Sequence, residues 1–136
     1  MPRLLAIDYG TKKTGLAVSD PLQIIATGLD TVPTKDLLDF LKGYLEQEEV
    51  ETFILGEPLH ADGNPAQIHH LVIGLKRKLE KLYPTIPVVL QDERYTSEEA
   101  KIIIRNSGVK KKKRRDKNLV DKVSAILILQ DYMESI

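Results

Sequence analysis

Leu4, Leu5, Ala6 and Ile7 run without a polar break and stop at Asp8-Tyr9-Gly10. This constrains the fold most, because a short apolar run closed by turn residues reads as a buried strand. Thr11-Lys12-Lys13 then turns the chain into a second strand, Thr14–Ser19, and Ile24–Thr27 up to Thr31-Val32 predicts a third before Pro33. Connections this short make the three strands antiparallel. From Lys35 to Glu49 the residues Leu37, Leu38, Leu41, Tyr44 and Leu45 recur at helical spacing, with Thr34 available as N-cap.

The pattern then alternates. Thr52–Gly56 predicts a fourth strand, ended by Glu57-Pro58, and an Asp62-Gly63-Asn64-Pro65 turn leads to a helix carrying Ile68, Leu71, Val72, Leu75, Leu79 and Leu82. A fifth strand, Ile86–Leu90, stops at Gln91-Asp92-Glu93-Arg94. Thr96-Ser97-Glu98-Glu99 has capping-box spacing and opens a helix through Ile102, Ile103 and Ile104 that Gly108 can end. Asn118 is placed to cap a last helix, Leu119 to about Met133. The order βββαβαβαα predicts an α/β fold: a mixed five-stranded sheet, three strands antiparallel and two parallel, with helices on both faces. At 136 residues, the expectation is one domain spanning 1–136.

The formal net charge of zero conceals a division. Residues 1–100 carry ten basic and sixteen acidic side chains, a net −6, whereas residues 101–136 carry ten and four, a net +6. The basic charge is concentrated in Lys110, Lys111, Lys112, Lys113, Arg114, Arg115 and Lys117. Such a run is either a solvated loop or a site for a polyanion. Without cysteine, disulfides, zinc–thiolate sites and thiol nucleophiles are excluded, so any metal must sit on oxygen or imidazole. No apolar run approaches the roughly 20 residues of a membrane helix, and the N-terminus lacks signal-peptide features. A cytoplasmic protein without a membrane partner is expected.

Functional groups in open α/β sheets collect at the carboxyl ends of strands. Asp8, Glu57 and Asp92-Glu93 all stand at such ends, and Asp121 opens the final helix with Ser124, Ala125 and Ile128 on roughly its own side. Carboxylates that converge repel one another unless a cation lies between them, and Mg²⁺ takes oxygen ligands. Each acid also has an ordinary structural use: an Asx-type turn for Asp8, an ion pair with Arg94 for Glu93, a helix-start carboxylate for Asp121. Their shared placement favours a site.

The segments Ile7-Asp8-Tyr9-Gly10-Thr11-Lys12-Lys13-Thr14-Gly15-Leu16-Ala17-Val18-Ser19-Asp20-Pro21, Asp92-Glu93-Arg94-Tyr95-Thr96-Ser97 and Leu119-Val120-Asp121-Lys122-Val123-Ser124-Ala125 closely resemble the YqgF family, relatives of the RuvC Holliday-junction resolvase. The resemblance spans nearly the whole chain. It implies an RNase H-like fold and a metal-dependent nuclease, discussed for that family as a junction resolvase or in maturation of the 5′ end of pre-16S ribosomal RNA. Asp8, Glu93 and Asp121 match the family's acidic triad as catalytic and metal-binding residues. The expected cofactor is Mg²⁺ or Mn²⁺, as two ions about 4 Å apart bridged by Asp8. Lys12 and Lys110 to Arg115 are the expected contacts to nucleic acid, either precursor rRNA or branched DNA, for a monomer or homodimer. One departure stands out: the family's Gly-Leu-Pro is Gly56-Glu57-Pro58 here. Because that strand is expected beside the first, Glu57 is either a fourth ligand, nearer Asp8 than Glu93 is, or an ion-pair partner without a catalytic part. The ion pair is preferred.

Two rivals belong to other classes. Asp8-Tyr9-Gly10-Thr11 followed by Gly15 also resembles the first phosphate loop of actin-like and sugar-kinase-like ATPases, but no second Asp-x-Gly-Thr run follows. A non-catalytic RNA-binding module would keep the basic run and tolerate loss of Asp8. His60, His69 and His70 lack metal-helix spacing, and the adjacent pair must point to different helix faces, so surface or helix-edge roles are expected.

Overall fold

The computed structural model describes residues 2–59, 66–93, 96–106 and 117–136, with backbone alone at 96–98 and 117–118. Strands β1 (Arg3–Asp8), β2 (Lys13–Ser19), β3 (Ala26–Pro33), β4 (Val50–Glu57) and β5 (Val88–Asp92) form one sheet in the order β3-β2-β1-β4-β5. Pairing is antiparallel for β1–β2 and β2–β3 and parallel for β1–β4 and β4–β5, the mixed sheet the sequence predicts. Helices α1 (Leu37–Gln47), α2 (His69–Leu82), α3 (Thr96–Asn106) and α4 (Lys117–Ser135) complete the described elements.

Alternation along β1 and β4 divides the core in two. Leu5 and Ile7 with Phe53 and Leu55 pack against Leu37 and Leu41 of α1 and Val72, Leu75 and Leu79 of α2. Leu4, Ala6, Ala17 and Ile54 pack against Ala125, Ile128 and Leu129 of α4 on the other face. Gly15 and Gly28 on this face let α4 lie close to the sheet: a β-carbon at Gly15 would fall 2.2 Å from the Asp121 carbonyl oxygen. α3 joins this layer through Ala100, Ile104 and Val120. Among the described residues no helix is long and apolar enough to cross a membrane.

Several expected boundaries move. β3 starts at Ala26 rather than Ile24, because Asp20 Oδ1 accepts the N–H groups of Ile24 and Ile25 at 2.7 Å each and holds them in the turn. These bonds also keep the Asp20 carboxyl below its usual range, the Ile25 bond contributing most. Thr34 does not cap α1. Its hydroxyl donates to the Gly10 carbonyl at 2.6 Å and lies 2.8 Å from the Thr14 hydroxyl, and a 3-10 turn, Thr34–Asp36, precedes the helix. α1 ends at Gln47, where extended Glu48 starts the approach to β4. β5 begins at Val88 and runs through Asp92. α4 begins at Lys117, so Asn118 lies inside its first turn instead of before it. The Asp62–Pro65 turn, His60, Arg94, Gly108 and the side chains of the Thr96–Glu98 capping box lie outside the described residues.

Candidate active site

β1 ends on Asp8, and the turn that follows is tied down on both sides. Thr34 holds the Gly10 carbonyl through its hydroxyl, while its backbone N–H donates to the Lys12 carbonyl at 2.9 Å. Gly10 is required sterically, since a β-carbon there would lie 2.3 Å from the Lys13 carbonyl oxygen. The turn forms one wall of a cleft of about 520 Å³ lined by Asp8 to Lys13, by Ile68 and by Asp121. Ile68 immediately precedes α2 and Asp121 belongs to α4, so the cleft crosses the end of the sheet from one helix layer to the other. Lys12 is exposed at its edge.

Strand parity brings Glu93 to Asp8. Counting from Ala6 and Ile54, both under α4, Asp8 and Gly56 are next on that same face. The Glu93 backbone N–H donates to the Glu57 carbonyl at 3.1 Å, and its carboxyl lies over Gly56, where a β-carbon would meet Glu93 Oε2 and Ile128 Cδ1 at 2.7 Å each. Only glycine leaves that space. Glu93 also shares a side-chain hydrogen bond with Asp8. Burial first, then the Asp8 charge, that hydrogen bond and the Asp92 charge push the Glu93 carboxyl up to about 10. At neutral pH the two carboxyls therefore hold one proton between them.

Asp121 lines the same cleft, with its Oδ2 atom shut off from solvent. One turn further along α4, the Ser124 hydroxyl is fully buried and has no hydrogen-bond partner among the described residues. The donor set is thus all oxygen, and the repulsion that raises the Glu93 carboxyl is of the kind a hard cation would relieve. In kind it fits Mg²⁺ or Mn²⁺. Among the described residues no three His, Asp or Glu side chains are arranged to hold an ion as they stand. Asp8 and Glu93 form a pair, and Asp121 shares the cleft with Asp8 rather than closing a triad.

Glu57 takes no part in that pair. One residue beyond Gly56, it falls on the opposite face, where its Oε2 lies 2.9 Å from His69 Nε2. It is Glu93 rather than Glu57 that hydrogen-bonds to Asp8. His70 points elsewhere, its Nδ1 lying 3.0 Å from the Gln67 carbonyl, as expected of neighbours on a helix. Lys110 to Arg115 lie outside the described residues. Sequence reading missed Ile68 as a cleft residue and Thr34 as the tie on the Asp8 turn. For Thr34 the available signal was a helix-start threonine directly after a proline-ended strand.

The raised Glu93 carboxyl has a consequence for stability. Its folded-state value lies above its unfolded one, so protonation favours the folded chain. That contribution is complete below about pH 4.5 and is lost as pH rises toward about 10. Metal-free protein should therefore lose stability between pH 6 and 9 by up to about 1.4 kcal/mol per pH unit from this group. Thermal melts in EDTA check this, with Glu93→Gln flattening the slope. An equal slope in that variant would assign the effect to other groups.

A mixed sheet of this order, with carboxyls at the ends of β1 and β5 and a third on the helix covering them, defines the RNase H-like nuclease class. The solved structures agree on the fold. The fowlpox virus Holliday junction resolvase matches with a TM-score of 0.58 at 16% identity, covering 98% of this chain and 99% of the viral one. RuvC of T. thermophilus, in complex with a Holliday junction substrate, matches with 0.58 at 17% identity over 99% and 96%. Residues 2–135 match the RuvX family, described as Holliday junction resolvase. A relative in Porphyromonas gingivalis is 50% identical over 135 residues, and one in Flavobacterium johnsoniae 45% identical over 135, in each case 99% of this chain and 98% of the relative. Both bear the name "Putative pre-16S rRNA nuclease". The chain belongs to the RuvX (YqgF) family of nucleases.

Proposed function

We propose that this chain is a divalent-metal-dependent endonuclease acting in the cytoplasm on precursor 16S rRNA at its 5′ end. The observation that carries the catalytic part is the hydrogen-bonded Asp8–Glu93 pair at two strand ends, its Asp8 lining a cleft together with Asp121. The rRNA substrate rests on the names of relatives that are 45–50% identical along their whole length. Asp8, Glu93 and Asp121 would hold Mg²⁺ or Mn²⁺, as two ions. Once bound, the metal supplies a water activated for attack and charge neutralisation at the scissile phosphate.

The chain's own contribution is placement. Asp8 is fixed by β1 and by the Thr34 tie on its turn, and Glu93 by its backbone bond to Glu57 and the space left at Gly56. Lys12 meets a phosphate at the cleft edge. Lys110 to Arg115, which precede the Asp121 helix in the sequence, contact the nucleic-acid backbone through its phosphates. A Mg²⁺-dependent cleavage assay offering precursor 16S rRNA and four-way junction DNA side by side tests the proposal. Cutting of junction DNA alone would replace the substrate, and cutting of neither would end the catalytic reading.

The basic run gives a separate expectation. Replacing four of Lys110 to Arg115 with Gln should weaken binding to all sequences alike, because phosphate contacts carry no base information. The slope of log affinity against log salt should shrink by about 0.7 to 0.9 for each phosphate that the variant no longer neutralises. A salt titration of binding reads both, and an unchanged slope would make the run a solvated loop.

A further inference from the structure

The cleft has two unlike halves. On one side stand the acids: Asp8 pairs with Gly15 across the β1–β2 ladder, and Asp121 lies over that glycine. On the other, Tyr9 steps to the opposite face of the sheet, packs against the core cluster that holds Leu5, Ile7, Phe53 and Leu55, and lines the cleft together with Ile68, the residue before α2. Tyr9 and Ile68 are both half-buried, so packing covers only part of each. Thr11, Lys12 and Lys13 are exposed along the edge. A phosphodiester is polar all round and has no use for an apolar wall. An aromatic ring beside a branched aliphatic chain suits a flat, largely apolar group instead.

A nucleotide matches both halves at once, with its charge on the phosphate and a flat face on the base. Every base has a π-face, so an aromatic ring receives any of the four. The cleft volume of about 520 Å³ falls within the roughly 300–1,000 Å³ of small-ligand pockets. We infer that the Tyr9–Ile68 wall is a base subsite, which takes the nucleobase next to the phosphate held at Asp8 and Asp121. A base inside a duplex is stacked and paired, and it reaches such a wall only when extruded. The subsite therefore selects strands that are unpaired at the cut, and Tyr9 and Ile68 are specificity residues. The inference rests on the proposed nuclease reading of the cleft and gives its substrate a structural class.

The experiment reads binding rather than cleavage. Ca²⁺ is supplied, a hard ion that takes oxygen ligands, because bare carboxyls repel a phosphate. Fluorescence anisotropy compares a labelled single-stranded RNA with the same strand annealed to its complement. Tyr9→Leu keeps an apolar group against the core and removes the ring. It should lose about tenfold in affinity for the single strand, the size of one lost stacking contact, with duplex affinity unchanged. Tyr9→Phe keeps the ring and should bind like the parent. Retained duplex binding also reports that the variants are folded. In a second arm needing no variant, strands carrying a single abasic nucleotide are offered to the unaltered protein. One position should reproduce the loss, and in Tyr9→Leu that position should cost nothing further. Equal loss for single strand and duplex in a variant that melts normally would make Tyr9 a support of the Asp8 turn and overturn the inference. So would the absence of any sensitive abasic position. A protein that shows the base dependence but never cuts with Mg²⁺ would instead overturn the nuclease proposal and leave this one standing.

Discussion

Asp8→Asn protein, assayed with Mg²⁺, is expected to lose cleavage by about 10³-fold or more while melting no lower than the parent. The substitution keeps the shape of the side chain at the end of β1 but removes one of the two carboxyls that share a proton. A bound ion is worth several kcal/mol at a phosphoryl transition state, and each 1.4 kcal/mol is a factor of ten. In the metal-free chain the same change relieves repulsion. The Asp8 charge is second only to burial in raising the Glu93 carboxyl, so above neutral pH the variant should melt at or above the parent temperature. Loss of activity with equal or greater stability is the signature of a ligand rather than of a structural turn. Turnover within tenfold of the parent would return Asp8 to the role of an Asx-type turn residue.

Gly15→Ala is expected to damage the protein more broadly, because the obstacle is backbone. The added β-carbon would lie 2.2 Å from the carbonyl oxygen and 2.6 Å from the carbonyl carbon of Asp121, and α4 must retreat from β2 to admit it. Overpacking of a core commonly costs 1–3 kcal/mol, and a helix backbone yields less readily than a side chain. A loss of about 3 kcal/mol, or about 10 °C in melting temperature, follows. Activity should fall further than the folded fraction does, since the retreat carries Asp121 out of the cleft. Gly74→Ala supplies the contrast. Nothing lies within 4 Å of a β-carbon there, at an exposed position of α2, so it should stabilise by about 0.5–1 kcal/mol. If Gly15→Ala melts with the parent, the close approach of α4 to the sheet is wrong.

Much of the architecture was legible because the local signals agree with one another. The apolar run that stops at Asp8 predicts β1, and the spacing of Val72, Leu75 and Leu79 predicts the buried stripe of α2. The misplaced boundaries occur where a polar side chain takes a distant or competing partner. Asp20 diverts Ile24 and Ile25 from the start of β3, and Thr34 leaves the helix it precedes to bind the turn after β1. Neither choice can be read from spacing, since the partner of a hydroxyl or carboxylate is settled by what the fold brings within about 3 Å.

The same division holds for the acids. That Asp8, Glu57 and Glu93 stand at strand ends is a property of the sequence, fixed where apolar runs stop and turn residues begin. Which of them meet is not. β4 reads Phe53-Ile54-Leu55 without alternation because both of its faces are buried, so its own pattern cannot say which face Glu57 will take. The register of β4 against β1 and the docking of α4 decide it, placing Gly56 under the Glu93 carboxyl and turning Glu57 to His69 on the other side. Strand ends are set by residues adjacent in sequence, whereas a shared face depends on pairings between segments some fifty residues apart, which exist only once the sheet has formed.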